Sequence, residues 1–411
     1  MKKIIYSLFL FCLLSNSLIA QWVELNSGIT GVRLMSVHFI NDTVGFAVGG
    51  LVWGNGIILK TTNAGQSWSA YNVNNKLDCV YFPSIDTGYA VGENATIMKT
   101  VDGGTSWVYQ NSDILTDFEI TSVFFTDNNT GYATPVNGPS SIFLKTIDGG
   151  LTWQNISNNL ISGRAIYFPS KNIGYTISHS FYKTSNEGLN WSSYPVPENS
   201  FGSLFFLNDT LGYASGTPGV GDSCNNNASI IKTSNGGLTW HEDIFICTYN
   251  FETIFFSCKN IGYVGGWNLI YKTIDGGNSW LFTYDSIVNN TWVHSIYCTD
   301  SNTCYAVGNN GRIIKTTNGG GNVGIIETVL NVNDITVFPN PFFYSTTLQS
   351  SKPFQNATLI IYDVLGNAIK HIQNLVGTEI KITREGIKSG MYFYKLFDAE
   401  GLLGTGKLLI E

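Results

Sequence analysis

The sequence predicts an all-β protein in which a seven-bladed β-propeller is followed by a small β-sandwich. Only 12% of its 411 residues are charged, whereas about 25% is usual, and 44 glycines accompany an aromatic content of 14%. This composition favours short strands and tight turns over helical bundles or disorder. A sequence repeat of about 43 residues also occurs seven times, and the last 80 or so residues lack this repeat.

Residues 1–20 have the pattern of a secretory signal peptide. Lys2 and Lys3 precede an apolar stretch at 4–14, and small residues end at Ala20. That stretch is too short to span a bilayer comfortably, and no later segment approaches the ~18 continuous apolar residues of a membrane helix. We therefore expect no transmembrane segment in the mature protein.

The charge balance excludes one class of partner. Without Lys2 and Lys3 the chain has 20 basic and 29 acidic residues, a net charge of −9. This sign disfavours binding to nucleic acid or to anionic membrane surfaces. The five histidines are scattered, and neither a CxxC nor an HExxH motif occurs. We expect no metal site and no cofactor.

The repeated phrase keeps one order: an alternating apolar run, a polar turn, a glycine–aromatic step, a loop, and a strand ending in Lys-Thr. The glycine–aromatic steps begin at Gly45, Gly88, Gly131, Gly174, Gly212 and Gly262, with Cys304-Tyr305 as the seventh. The Lys-Thr steps begin at Lys60, Lys99, Lys145, Lys183, Lys232, Lys272 and Lys315. Each phrase is expected to form four antiparallel strands, A to D.

A turn of the form Thr-x-Asp/Asn-x-Gly joins strands C and D. Its Asp or Asn accepts backbone N–H groups, and the glycine two residues later permits a positive φ. The acceptor positions are Asn63, Asp102, Asp148, Asn186, Asn235, Asp275 and Asn318. Because one four-stranded sheet cannot cover both of its faces, seven sheets packed radially are expected, which predicts a propeller over 21–323.

The tryptophans predict how the ring closes. Six of the turns end in Trp, but the seventh, at 316–323, ends in Val323. The missing strand D lies at the other end of the chain, at 21–28, and begins with Trp22. This strand is expected to complete blade 7 and to hide both open sheet edges.

These turns resemble the Asp boxes of bacterial neuraminidase repeats. The fuller phrase, SVHFINDTVGFAVGG followed by GIILKTTNAGQSW, resembles the propellers of the photosystem II assembly and stability factor type. The resemblance covers roughly 21–323. Asp boxes recur in sialidases, in glycosidases and in non-catalytic binding propellers, so the resemblance implies the fold and little of the chemistry.

A second domain follows a linker at 324–333. Alternating strands with turn signals within 334–411 predict a small, Ig-like β-sandwich. Its Pro-Asn-Pro, Tyr-Asp-x-x-Gly and Gly-Met-Tyr-x-Tyr elements resemble the type A C-terminal sorting domain of type IX secretion substrates. The resemblance implies the type IX secretion machinery as a partner, and a secreted or outer cell-surface location. The alternative is an ordinary accessory β-domain.

The loops opposite the Asp-type turns form the variable face, where function is expected. Three tryptophans remain outside the repeat, and the topology places all of them on this face: Trp53, Trp267 and Trp292, in blades 1, 6 and 7. Arg33 lies in an adjacent loop. Aromatic rings and one cation suit sugar stacking or peptide capture. The alternative is that these rings fill gaps between blades or in the central channel.

Catalysis is the second hypothesis. A sialidase needs an arginine triad, but the propeller has only Arg33, Arg164 and Arg312, and the last lies in an ordinary repeat strand. A glycosidase needs two carboxylates roughly 5–10 Å apart. Acidic residues expected near the variable face are Asp78, Asp117, Glu119, Asp222, Glu252 and Asp285.

We therefore expect a secreted or cell-surface, non-catalytic binding propeller, with a glycan or a protein as ligand and no catalytic residue. A carbohydrate-active enzyme and a structural surface protein are the alternatives.

Two disulfides are also expected. Cys298 ends strand A of blade 7 and Cys304 begins strand B, so the two side chains can face each other across the hairpin. Cys224 and Cys247 both lie in blade 5, toward its variable side, and form the second expected pair.

Overall fold

The structure is a computed structural model of the chain. It describes residues 22–51, 54–110, 118–136, 142–156, 163–177, 180–196, 199–218, 228–246, 250–283, 292–320, 335–363, 368–398 and 401–411. The chain divides into two units, 1–322 and 323–411. Among the described residues, no helix combines the length and the apolar character needed to cross a membrane. The signal peptide at 1–20 and the linker at 324–333 lie outside the described residues.

The first unit is a seven-bladed propeller of four-stranded antiparallel sheets. Blades 1 to 3 are formed by β2 (Arg33–Phe39), β3 (Gly45–Gly50), β4 (Gly56–Thr61) and β5 (Ser69–Val73); by β6 (Leu77–Tyr81), β7 (Gly88–Gly92), β8 (Thr96–Thr100) and β9 (Val108–Tyr109); and by β10 (Glu119–Phe125), β11 (Gly131–Val136), β12 (Leu144–Thr146) and β13 (Gln154–Asn155). Blades 4 to 6 are formed by β14 (Ala165–Tyr167), β15 (Gly174–Ile177), β16 (Phe181–Thr184) and β17 (Ser192–Tyr194); by β18 (Asn199–Phe206), β19 (Gly212–Pro218), β20 (Ala228–Thr233) and β21 (His241–Ile246); and by β22 (Phe251–Phe256), β23 (Gly262–Gly266), β24 (Leu269–Thr273) and β25 (Leu281–Phe282).

Blade 7 joins the two ends of the propeller sequence. Its strands are β26 (Val293–Cys298), β27 (Cys304–Gly308), β28 (Ile313–Thr316) and, on the outside, β1 (Val23–Leu25). Val23 lies opposite Lys315, and Leu25 lies opposite Ile313. Trp22 is fully buried, with its ring edge-on to that of Tyr263. The ring thus closes with the strand that the missing tryptophan indicated.

In blades 1 to 6 a phenylalanine at the end of the inner strand explains the glycine of the glycine–aromatic step. The ring of Phe82 covers Gly88, so that a Cβ on this glycine would lie 2.4 Å from the ring. Such a phenylalanine also stacks on the aromatic residue of the preceding blade, as Phe125 does on Tyr89 with centroids 3.8 Å apart. The same Phe–Gly arrangement recurs in blades 1 to 6, so one pair of residues packs each blade against its neighbour.

The tyrosine and the lysine of the repeat together clamp adjacent blades. The Tyr89 hydroxyl and Lys99 Nζ both donate to the carbonyl oxygen of Gly149 in the Asp-type turn of the next blade, at 2.8 and 2.6 Å. The ammonium also lies 5.7 Å from the centre of the Tyr89 ring. In the same way, Tyr305 and Lys315 of blade 7 donate to the carbonyl oxygen of Ala64 in blade 1. The lysines of blades 2 to 7 are therefore inter-blade contacts.

The Asp-type turns hold their own backbone. Asp102 Oδ1 accepts the N–H groups of Thr105 and Ser106, both at 2.9 Å. Thr100, from the Lys-Thr step, donates to the same carboxylate and accepts the N–H of Gly104. Hydrogen bonds from Ser106 and Thr100 hold the pKa of Asp102 far below its usual value. Asn replaces Asp in four turns and accepts the equivalent N–H in Asn63, Asn186 and Asn235.

The second unit is a small β domain with its own core. Its strands are β29 (Ile335–Phe338), β30 (Ser345–Tyr362), β31 (Ala368–Thr383), β32 (Gly390–Asp398) and β33 (Gly401–Ile410). Strand β30 pairs with β29 through its first half, with β32 through its second half, and with β31 along its length. Leu359, Ile382 and Leu396 are fully buried between these strands. The sequence predicted an Ig-like β-sandwich here; the structure confirms a small β domain, and its five strands form one irregular sheet around a core.

Candidate functional site

A β-bulge in the inner strands creates the site. In six blades the register shifts by one residue near the start of strand A, as between Leu34 and Ser36 in blade 1. A bulge adds a residue to one strand and re-aims its side chain. The bulged residues are Met35, Asp78, Thr121, Gly202, Glu252 and His294, and Arg164 stands at the equivalent place in blade 4.

These seven residues line one cavity on the propeller axis, which we call the axial cavity. Its volume is about 260 Å³. The next residue of each inner strand also lines it: Ser36, Cys79, Ser122, Ala165, Ser203, Thr253 and Ser295. Two successive residues of each strand face the cavity because the bulge interrupts the alternation of the strand. All seven blades therefore contribute to the site.

Small hydroxyl groups form the lower wall of the axial cavity and tie the blades together. Ser203 Oγ accepts the N–H of Ile254 in the next blade at 3.1 Å, and Ser295 Oγ accepts that of Val37 at 3.3 Å. Ser36, Ser122 and Thr253 make the same contact. Each oxygen is used as an acceptor, which leaves the O–H of such a hydroxyl able to donate to a ligand.

An unbroken circle of aromatic rings lies two residues further along each inner strand. Its members are His38, Tyr81, Phe124, Tyr167, Phe205, Phe255 and Tyr297, and neighbouring centroids lie 4.9–5.2 Å apart all the way round. Burial lowers the pKa of His38 to about 4, and burial raises the pKa of Tyr167 to about 12. The circle is therefore uncharged at neutral pH and constricts the channel below the cavity.

A compact charged cluster stands beside the cavity between blades 2 and 3. Lys76 Nζ lies 2.8 Å from Asp78 Oδ1, 2.6 Å from Glu119 Oε1 and 3.7 Å from Glu93 Oε1. Lys76, Asp78 and Glu93 are buried, and Glu119 is partly exposed. Three carboxyl groups thus share one ammonium, which is an acidic excess if all of them ionise.

Protonation of Asp78 relieves this excess. Burial raises its pKa to about 8, and the neighbouring Glu119 adds to the shift while Lys76 opposes it. Burial by itself would lower the pKa of Lys76, but the carboxylates raise it above its usual value. The buried Oδ2 of Asp78 has no donor nitrogen or hydroxyl within reach among the described residues. The cluster therefore holds the pKa of Asp78 and that of Lys76 above their usual values.

His294 contributes a neutral imidazole to the axial cavity from blade 7, two blades away from this cluster. Burial lowers its pKa, which Asn309 and Glu252 partly offset. Its Nε2 lies 2.9 Å from Asn309 Oδ1 and so carries the ring proton, because the amide oxygen can only accept. The Trp292 ring lies parallel to the imidazole, with centroids 6.3 Å apart.

Three of the four predicted ligand-binding residues belong to this region. Trp267 and Trp292 are half-buried, form an isolated β-bridge, and have ring centroids 5.1 Å apart at 57°. Arg33 is exposed at the start of β2, close enough to His294 to lower its pKa. Trp292 and Arg33 lie two residues before His294 and Met35 in blades 7 and 1, and Trp267 follows β23 of blade 6. We call these three residues the mouth. Trp53 lies outside the described residues.

The expected carboxylates separate into two groups. Asp78 and Glu252 line the axial cavity, and Glu119 reaches Lys76 beside it. Asp117, Asp222 and Asp285 lie outside the described residues. Sequence reasoning missed His294 and the ring of hydroxyls. Their signal was the spacing of buried apolar positions in strand A, where Leu34, Val37 and Phe39 are three and then two residues apart.

Cysteines complete the comparison with the predictions. The Sγ atoms of Cys298 and Cys304 form a disulfide at 2.12 Å, in directly paired positions of β26 and β27. They stand where the other blades have the Phe–Gly pair. Cys224 and Cys247 lie outside the described residues. Within the part of the chain that the structure describes, no three His, Cys, Asp or Glu side chains are arranged to hold a metal ion.

Comparisons with known proteins agree with this architecture. Residues 75–210 match the family model of the photosynthesis system II assembly factor YCF48, and residues 336–411 match that of the secretion system C-terminal sorting domain. The chain thus combines a seven-bladed propeller, part of which matches the YCF48 model, with a C-terminal segment that matches the sorting-domain model. The sorting domain marks this protein for export to the cell surface or the extracellular space, and implies an interaction with the secretion machinery.

Known structures share the fold at low sequence identity. A structure of YCF48 bound to D1 peptide is 16% identical with a TM-score of 0.56, and the match covers 74% of this chain and 99% of that one. An ancestral GH74 enzyme is 13% identical with a TM-score of 0.54, covering 95% of this chain and 63% of the enzyme. An endo-acting ulvan lyase from Formosa agariphila is 34% identical over 90 residues, which are 22% of this chain and 17% of the lyase.

Proposed function

We propose that this exported propeller is a non-catalytic binding protein whose ligand contacts the mouth and enters the axial cavity. One observation carries the proposal: Trp267 and Trp292 pair beside a cavity to which every blade contributes polar groups. Half-buried tryptophans combine a large apolar contact area with little loss of conformational freedom on binding. Arg33 adds a cation at the same edge.

Two ligand classes fit the mouth, a glycan or a protein segment. Stacking on tryptophan suits the apolar face of a sugar ring. A peptide is the second class, and the similarity to the peptide-bound YCF48 structure supports only the suitability of the fold for such a ligand. A screen of the full chain against immobilised glycans and peptides separates the two classes.

The mouth is tested with Trp292→Ala and Trp267→Ala. Each variant is expected to weaken binding of any ligand found in the screen by tenfold or more. Leu151→Ala is the control, because Leu151 is 70% exposed in an Asp-type turn, away from the mouth. Wild-type affinity in both tryptophan variants would refute the proposal that ligands bind here.

A glycoside hydrolase is the second candidate, and one observation favours it. Burial raises the pKa of Asp78 to about 8, which is the direction that a general acid needs, and Asp78 lines the axial cavity together with Glu252. Hydrolysis of any glycan that binds would establish this function if the Asp78→Asn variant loses turnover but retains binding. If the glycan stays intact after prolonged incubation with the wild-type protein, hydrolysis is excluded and the proposal of a non-catalytic binding protein stands.

A further inference from the structure

We propose that the disulfide of blade 7 is an oxidation-dependent latch for the propeller: the closing strand β1 docks firmly only after Cys298 and Cys304 have been joined. The latch couples closure of the ring to the export of the chain. Three features carry this inference, namely the place of the disulfide in the repeat, its membership of the buried cluster around Trp22, and the burial of both cysteines.

The disulfide replaces a packing pair at one interface between blades. In blades 1 to 6, the phenylalanine that covers the glycine also stacks on an aromatic ring of the preceding blade. These six stacks have centroids 3.7–4.2 Å apart: Phe39 on Tyr305, Phe82 on Phe46, Phe125 on Tyr89, Phe168 on Tyr132, Phe206 on Tyr175 and Phe256 on Tyr213. Between blades 6 and 7, Cys298 stands in place of the phenylalanine and Cys304 in place of the glycine. Two unlinked thiol side chains have fewer atoms than a phenylalanine side chain and make fewer contacts, so this interface depends on the bond that joins them.

The same disulfide belongs to the cluster that receives the closing strand. Cys298 and Cys304 lie in one buried core cluster with Trp22 and Tyr263. In blades 1 to 6 the phenylalanine meets the strand D tryptophan edge-on, with centroids 5.8–6.3 Å apart. Trp22 is the strand D tryptophan of blade 7, so by this equivalence the disulfide is the part of the blade that faces its ring.

Strand β1 depends on this cluster because its other contacts are few. It pairs with β28 over three residues. Val23 and Glu24 are exposed and Leu25 is half-buried, whereas Trp22 is fully buried. The burial of Trp22 therefore supplies most of the apolar contact that holds the closing strand in place.

Burial also sets the order of the two steps. Cys304 is fully buried and Cys298 nearly so, in the cluster that Trp22 completes. Formation of a disulfide requires direct attack between sulfur atoms, and an oxidant cannot reach sulfurs that are covered in this way. The bond therefore forms first and Trp22 docks second.

The oxidant is a disulfide, carried by an oxidoreductase or by a small molecule. One cysteine thiolate attacks it to give a mixed disulfide, and the other cysteine thiolate then displaces the oxidant's second sulfur as a thiol. The two cysteines lose two electrons and two protons, and the oxidant's disulfide becomes two thiols. Thiols stay reduced in the cytosol but not in the compartments beyond it, and the sorting domain marks this chain for export. Closure of the ring is thus deferred until the chain has left the cytosol.

Hydrogen–deuterium exchange of the full chain tests the latch. The readout is the peptide that contains β1, and β5, the outer strand of blade 1, is the internal reference. The oxidised chain is compared with the chain refolded from urea in dithiothreitol and with the double variant Cys298→Ala, Cys304→Ala. The double variant Cys298→Phe, Cys304→Gly is the matched control, because it restores the pair of the other blades without a thiol.

In the reduced chain and in the alanine variant, β1 is expected to exchange at least tenfold faster than in the oxidised chain, with β5 unchanged. In the Phe–Gly variant β1 is expected to exchange slowly with or without dithiothreitol, which separates this disulfide from the other cysteines. Equal exchange of β1 in the oxidised and reduced chains would overturn the proposal, as would fast exchange of β1 in the Phe–Gly variant. Equal acceleration of β1 and β5, or failure of both the reduced chain and the alanine variant to fold, would make the disulfide a general stabiliser and would also overturn the latch.

Discussion

The clamp between blades 2 and 3 gives a quantitative test of how the propeller is held together. Tyr89 and Lys99 donate to one buried acceptor, the carbonyl oxygen of Gly149. Tyr89→Phe removes one bond but leaves the acceptor paired with Lys99, so the expected loss is the net value of a hydrogen bond, about 1 kcal/mol. Lys99→Met removes a bond from a charged donor, with an expected loss of about 1.5–3 kcal/mol.

The double variant is expected to cost more than both single changes together. In the double variant the buried Gly149 oxygen has lost both donors of the clamp. An unpaired buried acceptor lowers the free energy of unfolding by about a further 1–3 kcal/mol. Urea unfolding followed by tryptophan fluorescence measures all three variants, and a constant m-value is required for the comparison. Blade 1 provides the control, because Phe46 lacks the hydroxyl at this position: Phe46→Tyr is expected to raise the free energy of unfolding. Strict additivity of the two losses would refute the shared-acceptor reasoning.

Three further outcomes are expected. Proteolytic digestion of the non-reduced chain should yield a cross-linked peptide that contains Cys298 and Cys304. The double variant Cys298→Phe, Cys304→Gly should fold without this disulfide, because it recreates the Phe–Gly pair of the other blades. Gly88→Ala should lower the free energy of unfolding by about 1–3 kcal/mol, because its Cβ would lie 2.4 Å from the Phe82 ring; an unchanged urea midpoint would show that the ring gives way. The fold raises the pKa of Asp78 from 3.8 to about 8, so the folded state binds more protons than the unfolded state between these pH values, and the free energy of unfolding should fall as the pH rises through this window. The Asp78→Asn variant should show a weaker fall. An equally steep fall in this variant would exclude Asp78 as its source.

Much of the fold could be predicted from the sequence because the repeat is a local pattern. Gly131 is required because the Phe125 ring of the same blade covers it, and the Asp-type turn at Asp148 is held by short-range hydrogen bonds within one blade. Seven copies of such a unit have one way to bury their faces, and the displaced Trp22 indicates where the ring closes. Because the blades share one sequence repeat, each blade can pack against the next with the same contacts.

The candidate site was only partly predictable. Trp267, Trp292 and Arg33 were predicted because they are large or charged residues left over from the repeat. The contribution of Ser203 or His294 is visible only once the inner strands converge, because each blade supplies two small or polar side chains that mean nothing alone. The β-bulge directs these side chains toward the axis. In the sequence it is visible only as a small change in the spacing of the apolar residues of strand A.

What the sequence by itself determined is the composition of each blade, the number of blades and the closing strand, since these follow from turns, alternation and a count of tryptophans. Only the tertiary structure decided what lies on the axis: the ion pair of Lys76 with Glu119, the circle that includes His38, and the cavity above it. The physical reason is that these contacts join residues some 43 positions apart in different blades, and their energies depend on burial and distance, which a repeat pattern does not specify.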